Sequence, residues 1–145
     1  MTLRLLDLTA DAELVYAVNE AAFAERPDYH PESFTAFRDE HLAAHDLAPD
    51  LSRLALRDDT AVGFILCRRW ATGEGYVDLL AVAPSERRRG LGTALLTAAF
   101  EAFAAAGLHE AQLGVASDNP DALRIYERAG MQVRFRIDVW ERAAR

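Results

Sequence analysis

The stretch "SERRRGLGTALL", residues 85–96, sets three arginines ahead of two glycines and runs directly into good helix formers. A glycine inside a helix costs about 1 kcal/mol relative to alanine. Gly90 and Gly92 at a helix's first turn therefore mean that the backbone bends there or that something approaches it closely. Upstream, "GYVDLLAVA" (75–83) reads as a strand that ends at Pro84. A helix start leaves backbone N–H groups unpaired and carries about half a positive charge. Glycines remove the Cβ atoms that would hold a ligand away, and the arginines beside them add fixed charge and forked donors. The junction has the makings of an anion site and suits a pyrophosphate. Neither the dinucleotide-binding G-x-G-x-x-G nor the G-x-x-x-x-G-K-[ST] loop is satisfied by "RRRGLGTALL", so a nucleotide must be presented in another way.

Working outward, "TLRLLDL" (2–8) reads as a first strand, and Thr9 or Asp11 can cap a helix reaching about Ala24. The loop "ERPDYHP" breaks it. A second helix is expected from Glu32 to about His45, led by Pro31 and carrying Phe34, Phe37 and Leu42. An antiparallel meander follows: "SRLALR" (52–57), "AVGFILCRRW" (61–70) and 75–83, with Asp58-Asp59 as one turn and 71–74 as the other. The next helix spans 90–106, with Leu91, Leu95, Ala98, Ala99, Ala102 and Phe103 on one face and Gly107 as its stop. "EAQLGVA" (110–116) is a strand, "DNPDALRIYERAG" (118–130) a capped short helix, and Val133, Phe135, Ile137 and Val139 alternate in a last strand. The order β-α-α-β-β-β-α-β-α-β describes one α/β domain over residues 1–145 with a mixed sheet.

Arg87-x-x-Gly90-x-Gly92, preceded by "LAVAP" and followed by Asn119-x-x-Ala122-x-x-x-Tyr126-x-x-x-Gly130, resembles the acetyl-CoA signature of the GNAT superfamily of N-acetyltransferases. The likeness covers roughly residues 50–142. The resemblance implies a GNAT-like acyl-CoA N-acyltransferase fold in which the central strands splay. The pantetheine of acetyl-CoA would pair with the main chain of Leu80, Ala81 and Val82, and its pyrophosphate would lie on the amides from Arg88 through Arg89, Gly90, Leu91 and Gly92 to Thr93. "APSERRRGLG", "SDNPDALRIYERAGM" and "VWER" are also similar to domains of the mycothiol synthase group. That likeness is partial, because the strand glutamate of that group is absent at Tyr76.

Acyl transfer to an amine poses two proton problems. An alkylammonium of pKa about 10 must lose a proton, at a cost on the order of 4 kcal/mol at pH 7, and the departing thiolate must gain one. Tyr126, two helical turns after Asn119, is the candidate acid, and the resemblance places the matching tyrosine beside the thioester sulfur. Asp78 shares a strand face with Tyr76 and is the candidate base, directly or through water. Asn119 orients the cosubstrate or simply caps its helix. The acceptor pocket, by the same resemblance, is built by the first two helices and "FAERPDYHPESF", where Asp28, Tyr29 and His30 would select the substrate.

The function expected is transfer of acetyl from acetyl-CoA to a primary amine of a small molecule or protein. The alternatives are an acyl-CoA-binding regulatory module without catalysis and a mycothiol-synthase-like acetyl transfer. A formal charge of −7 argues against a nucleic-acid partner. No run approaches 18 apolar residues and no signal-length segment opens the chain, so neither membrane nor export is expected. The single cysteine, Cys67, excludes an internal disulfide, points to a reducing cytoplasm, and reads as an apolar filler. His30, His41, His45 and His109 form no metal signature; a metal is not expected, and these side chains are expected at the surface. Pairing of the last strand across subunits would give a homodimer.

Overall fold

In the computed structural model, which describes residues 1–70, 73–108 and 110–113, the longest strand is the apolar run of residues 60–70. Its side chains alternate between two cores. Val62, Ile65 and Cys67 pack on one face, Phe64 and Leu66 on the other. A strand covered on both sides has no need of a polar face, which is why the run is almost continuously apolar.

In chain order the described elements are β1 (Thr2–Leu5), α1 (Ala12–Phe23), α2 (Phe34–Phe37), β2 (Arg53–Arg57), β3 (Thr60–Trp70), β4 (Glu74–Val82), α3 (Leu91–Ala105) and β5 (Glu110–Leu113). The sheet order is β1-β2-β3-β4-β5. The first three pairings are antiparallel, and β4–β5 is parallel. That parallel pair needs a crossover, which α3 supplies. The β2–β3 hairpin turns through Asp58 and Asp59, both left-handed (φ 52° and 66°), the twist that two-residue hairpins favour. α3 ends as expected at Gly107 (φ 80°): its N–H donates to the Ala104 carbonyl (3.1 Å), and the Leu108 N–H to that of Phe103 (2.9 Å), a Schellman closure. α3 covers one sheet face with Leu91, Leu95, Leu96, Ala99 and Phe103; α1 and α2 cover the other with Val15, Val18, Ala22 and Phe37.

Two elements depart from the sequence reading. Neither Thr9 nor Asp11 caps α1 through its side chain; Asp11 turns back to β1 instead. The second helix does not run from Glu32. It starts after Ser33, whose Oγ accepts the Ala36 N–H (3.0 Å), and Pro31 lies outside it. After Phe37 the ladder widens to a π-helical turn over Arg38–Leu42, with the Ala43 N–H reaching the Arg38 carbonyl at 2.8 Å. Such inserted residues shift the facing of all that follows.

β4 carries the second irregularity. Leu66 pairs with Leu79 but Cys67 with Val77, so Asp78 is an extra residue, a β-bulge. Before it, Val77 faces α3; beyond it, Leu80 and Val82 face α3 while Leu79 and Ala81 face α1 and α2. One inserted residue thus exchanges the faces of the strand's second half. At Gly75 a Cβ would come within 2.6 Å of the buried Phe103 ring. Gly75→Ala is therefore expected to lose about 1–3 kcal/mol, read as a lowered urea midpoint with unchanged slope.

Candidate functional site

The β4–α3 junction opens with a short 3-10 turn, Pro84–Glu86. Glu86 is buried, and its carboxylate takes two hydrogen bonds from Arg57 (2.9 and 3.0 Å), which hold it below the usual carboxylate range. Arg87 ties the loop on its other side by donating to the Ala22 carbonyl and to Glu25 (3.2 Å) at the end of α1. Just after these anchors the chain reverses through two left-handed residues, Arg88 (φ 66°) and Gly90 (φ 80°). A Cβ at Gly90 would meet no protein atom within 4 Å, so glycine is favoured there by conformation and not by crowding.

The first helical bond of α3 runs from the Ala94 N–H to the Gly90 carbonyl (3.0 Å). The N–H groups of Leu91, Gly92 and Thr93 are left without a helical acceptor, and no side-chain cap covers them. They lie at the positive end of a fifteen-residue helix. Arg88 and Arg89 are exposed beside them. Of the three arginines, Arg87 is committed to α1.

The neighbouring edge of β4 is open among the described residues. β5 pairs with Glu74–Val77 alone, whereas Leu79–Val82 hydrogen-bond only to β3.

The bulge at Asp78 turns its carboxylate toward α2. Asp78 Oδ2 lies 2.8 Å from His41 Nδ1 and 3.4 Å from Arg68 Nη2. Both the His41 and Asp78 side chains are only 13% exposed, so His41 is not a surface residue as the sequence suggested. Its Nε2 lies 2.8 Å from Glu40, an outward-facing carboxylate. Burial works to lower the His41 pKa, but the hydrogen bond to Asp78 and the charges of Asp78, Glu40 and Glu32 outweigh it and hold the imidazole above its ordinary value. Arg68 is locked by Asp46 (2.8 Å). Trp70 and Tyr76 stack at 4.6 Å on the same strands. Glu32, Glu40 and His41 bring ligand-type atoms within 4.8 Å of one another, a grouping the sequence reading did not foresee.

Of the loop residues expected to select the acceptor, Asp28 and His30 are exposed, while Tyr29 donates to Glu20 on α1 and is pushed up to about 12 by that bond. Cys67 is fully buried, and burial lifts its thiol to about 12, in keeping with a filler role. Asn119 and Tyr126 lie outside the described residues. Among the described residues no helix is long and apolar enough to cross a membrane.

Residues 13–131 match the acetyltransferase (GNAT) family. The chain is 37% identical over 134 residues to a mycothiol acetyltransferase of Clavibacter michiganensis, an alignment covering 90% of this chain and 42% of the relative. It thus spans about two-fifths of that relative's length. A GCN5-related N-acetyltransferase structure from Sphaerobacter thermophilus aligns with a TM-score of 0.73 and 31% identity over 90% of this chain and 41% of that one. The aminoglycoside N-acetyltransferase AAC(6')-Iy, solved in complex with CoA, aligns with a TM-score of 0.71 over 94% of this chain and 90% of that one; at 22% identity it speaks for the fold alone.

Proposed function

The chain belongs to the GNAT acetyltransferase family, and from that premise we propose that it transfers the acetyl group of acetyl-CoA to a primary amine. The observation that carries this reading is the start of α3, whose Leu91, Gly92 and Thr93 amides have no helical acceptor, beside Leu80, Ala81 and Val82 of β4, which among the described residues pair with β3 alone. A diphosphate fits the first feature because amides and helix dipole favour negative charge without a counter-residue. An extended amide-bearing arm fits the second by adding to the strand edge.

In the proposed reaction the free amine attacks the thioester carbonyl, the carbon–sulfur bond breaks, and the nitrogen ends as an amide after losing its proton. Tyr126 gives its phenolic proton to the departing thiolate, and the proton acceptor belongs to the Asp78 side of the cleft. Asn119 orients the cosubstrate. The cationic amine suits the carboxylates of Glu32, Glu40 and Asp78 gathered about His41. Calorimetric titration with acetyl-CoA, followed by an amine panel monitored for free thiol, tests the reading, and the acceptor of mycothiol acetyltransferases belongs in that panel. Binding without thiol release on any amine would favour a regulatory module; no binding would end the proposal. Tyr126→Phe is expected to lower turnover at least tenfold, within the range for general acids, with the acetyl-CoA dissociation constant little changed.

A further inference from the structure

The Asp78 carboxylate is poorly placed to be the base itself, because one of its oxygens already accepts from His41 and lies beside the Arg68 guanidinium. The imidazole it holds is better placed. With Nδ1 hydrogen-bonded to Asp78, the neutral ring carries its proton on Nδ1, and Nε2 is the accepting atom. Nε2 points away from the buried carboxylate toward Glu40, whose side chain is 66% exposed and free to swing. Phe37 backs the ring at 5.0 Å, and the π-helical turn fixes its approach to β4.

Resting on the acetyltransferase reading, we propose that His41 Nε2 takes the proton from the acceptor amine, with Asp78 as the residue that positions the ring and Glu40 as its displaceable partner. Below its pKa the ring is an imidazolium that donates from both nitrogens, Nδ1 to Asp78 and Nε2 to Glu40. Above it the Nε2 proton has passed to solvent, and an arriving ammonium group draws Glu40 aside and meets the bare Nε2. The amine N–H bond then breaks as the Nε2–H bond forms, neutral nitrogen attacks the thioester, and the imidazolium later returns its proton to Glu40 or water. The charges around the ring are Asp78 from β4, Arg68 from β3 with Asp46 behind it, Glu40 on the same turn and Glu32 ahead of α2; Tyr16 of α1 donates to the Glu32 main chain. The anions outnumber the single cation, so the ring gives up its proton only above the ordinary histidine range.

The test is the pH profile of kcat/KM for the amine at saturating acetyl-CoA. Wild type should rise with a midpoint above about 6.5. Asp78→Asn removes the opposing charge and should move that midpoint down by about one unit or more. His41→Gln should lose the limb and about a hundredfold in rate, with acetyl-CoA affinity intact, and His41→Ala should regain rate with added imidazole. An unchanged limb in His41→Gln, or an unmoved midpoint in Asp78→Asn, overturns the assignment. Should a variant fold poorly, an imidazole NMR titration of wild type replaces it: a His41 midpoint at or below the ordinary value is equally fatal. Activity should survive chelation; loss of it, restored by zinc, would give Glu32, Glu40 and His41 to a metal instead. Failure of wild type to bind acetyl-CoA would defeat the acetyltransferase reading, a result distinct from an active His41→Gln enzyme, which defeats only this step.

Discussion

Gly90→Asp is expected to weaken acetyl-CoA binding by about a hundredfold or more, while Gly90→Asn weakens it tenfold at most. The two side chains have nearly the same shape, and a Cβ at this position meets no protein atom. Asparagine and aspartate are the residues that best tolerate a left-handed backbone such as Gly90's φ of 80°. Both variants should therefore fold with α3 in place, and the difference between them is one negative charge beside the free Leu91, Gly92 and Thr93 amides. Two like charges about 5 Å apart at an effective dielectric of about 20 repel by about 3 kcal/mol, which is the two decades expected. Titration calorimetry at low and high salt reads both effects, and the gap should narrow with salt because the site lies at the surface. Equal affinities for the two variants would mean that the diphosphate does not rest on this helix start.

Much of this junction was legible because its signals are local. Gly90 announces a backbone that other residues avoid, and the open amides follow from the absence of a capping side chain. The hairpin at Asp58-Asp59 and the stop at Gly107 were readable for the same reason. The His41–Asp78 pair was hidden by two insertions. No residue type marks either the bulge at Asp78 or the π-helical turn at Arg38–Leu42. One signal was available: Phe34, Phe37 and His41 recur at the spacing of one helical face, so the face that buries two phenylalanines also carries the histidine. Arg87 shows the opposite limit. Its place in the motif suggested a phosphate contact, while its guanidinium is held by the Ala22 carbonyl and Glu25, two groups sixty residues upstream.

Asp11→Asn is expected to cost about 2–3 kcal/mol of stability at pH 7 while leaving acetyl-CoA binding intact. Asp11 is only 2% exposed and grips Arg4 through both oxygens (2.7 and 2.8 Å); it also accepts the Asp7 N–H at 2.8 Å. Asp7 in turn accepts the N–H groups of Thr9 and Ala10 at 2.9 Å, so the two aspartates set the turn from β1 into α1. Hydrogen bonds to a charged group are worth about 1.5–3 kcal/mol, and the half-exposed Arg4 can rehydrate once released, which keeps the loss below that of a fully buried pair. The Arg4 hydrogen bonds hold the Asp11 pKa below its usual value against the opposing effect of burial. A carboxylate whose folded pKa is depressed stabilises fully above its unfolded value of about 3.9 and loses that contribution as pH falls through the folded one. Urea unfolding at pH 7 and at pH 2–3 should therefore show a large gap between wild type and Asp11→Asn that shrinks in acid; a gap that is absent at pH 7, or the same at both, contradicts the role given to the ion pair. The site should be spared because α1 is twelve residues long, which sets its Arg87 anchor about 18 Å from the altered turn, and Asp11 bonds to β1 and the turn after it, not to β4 or α3.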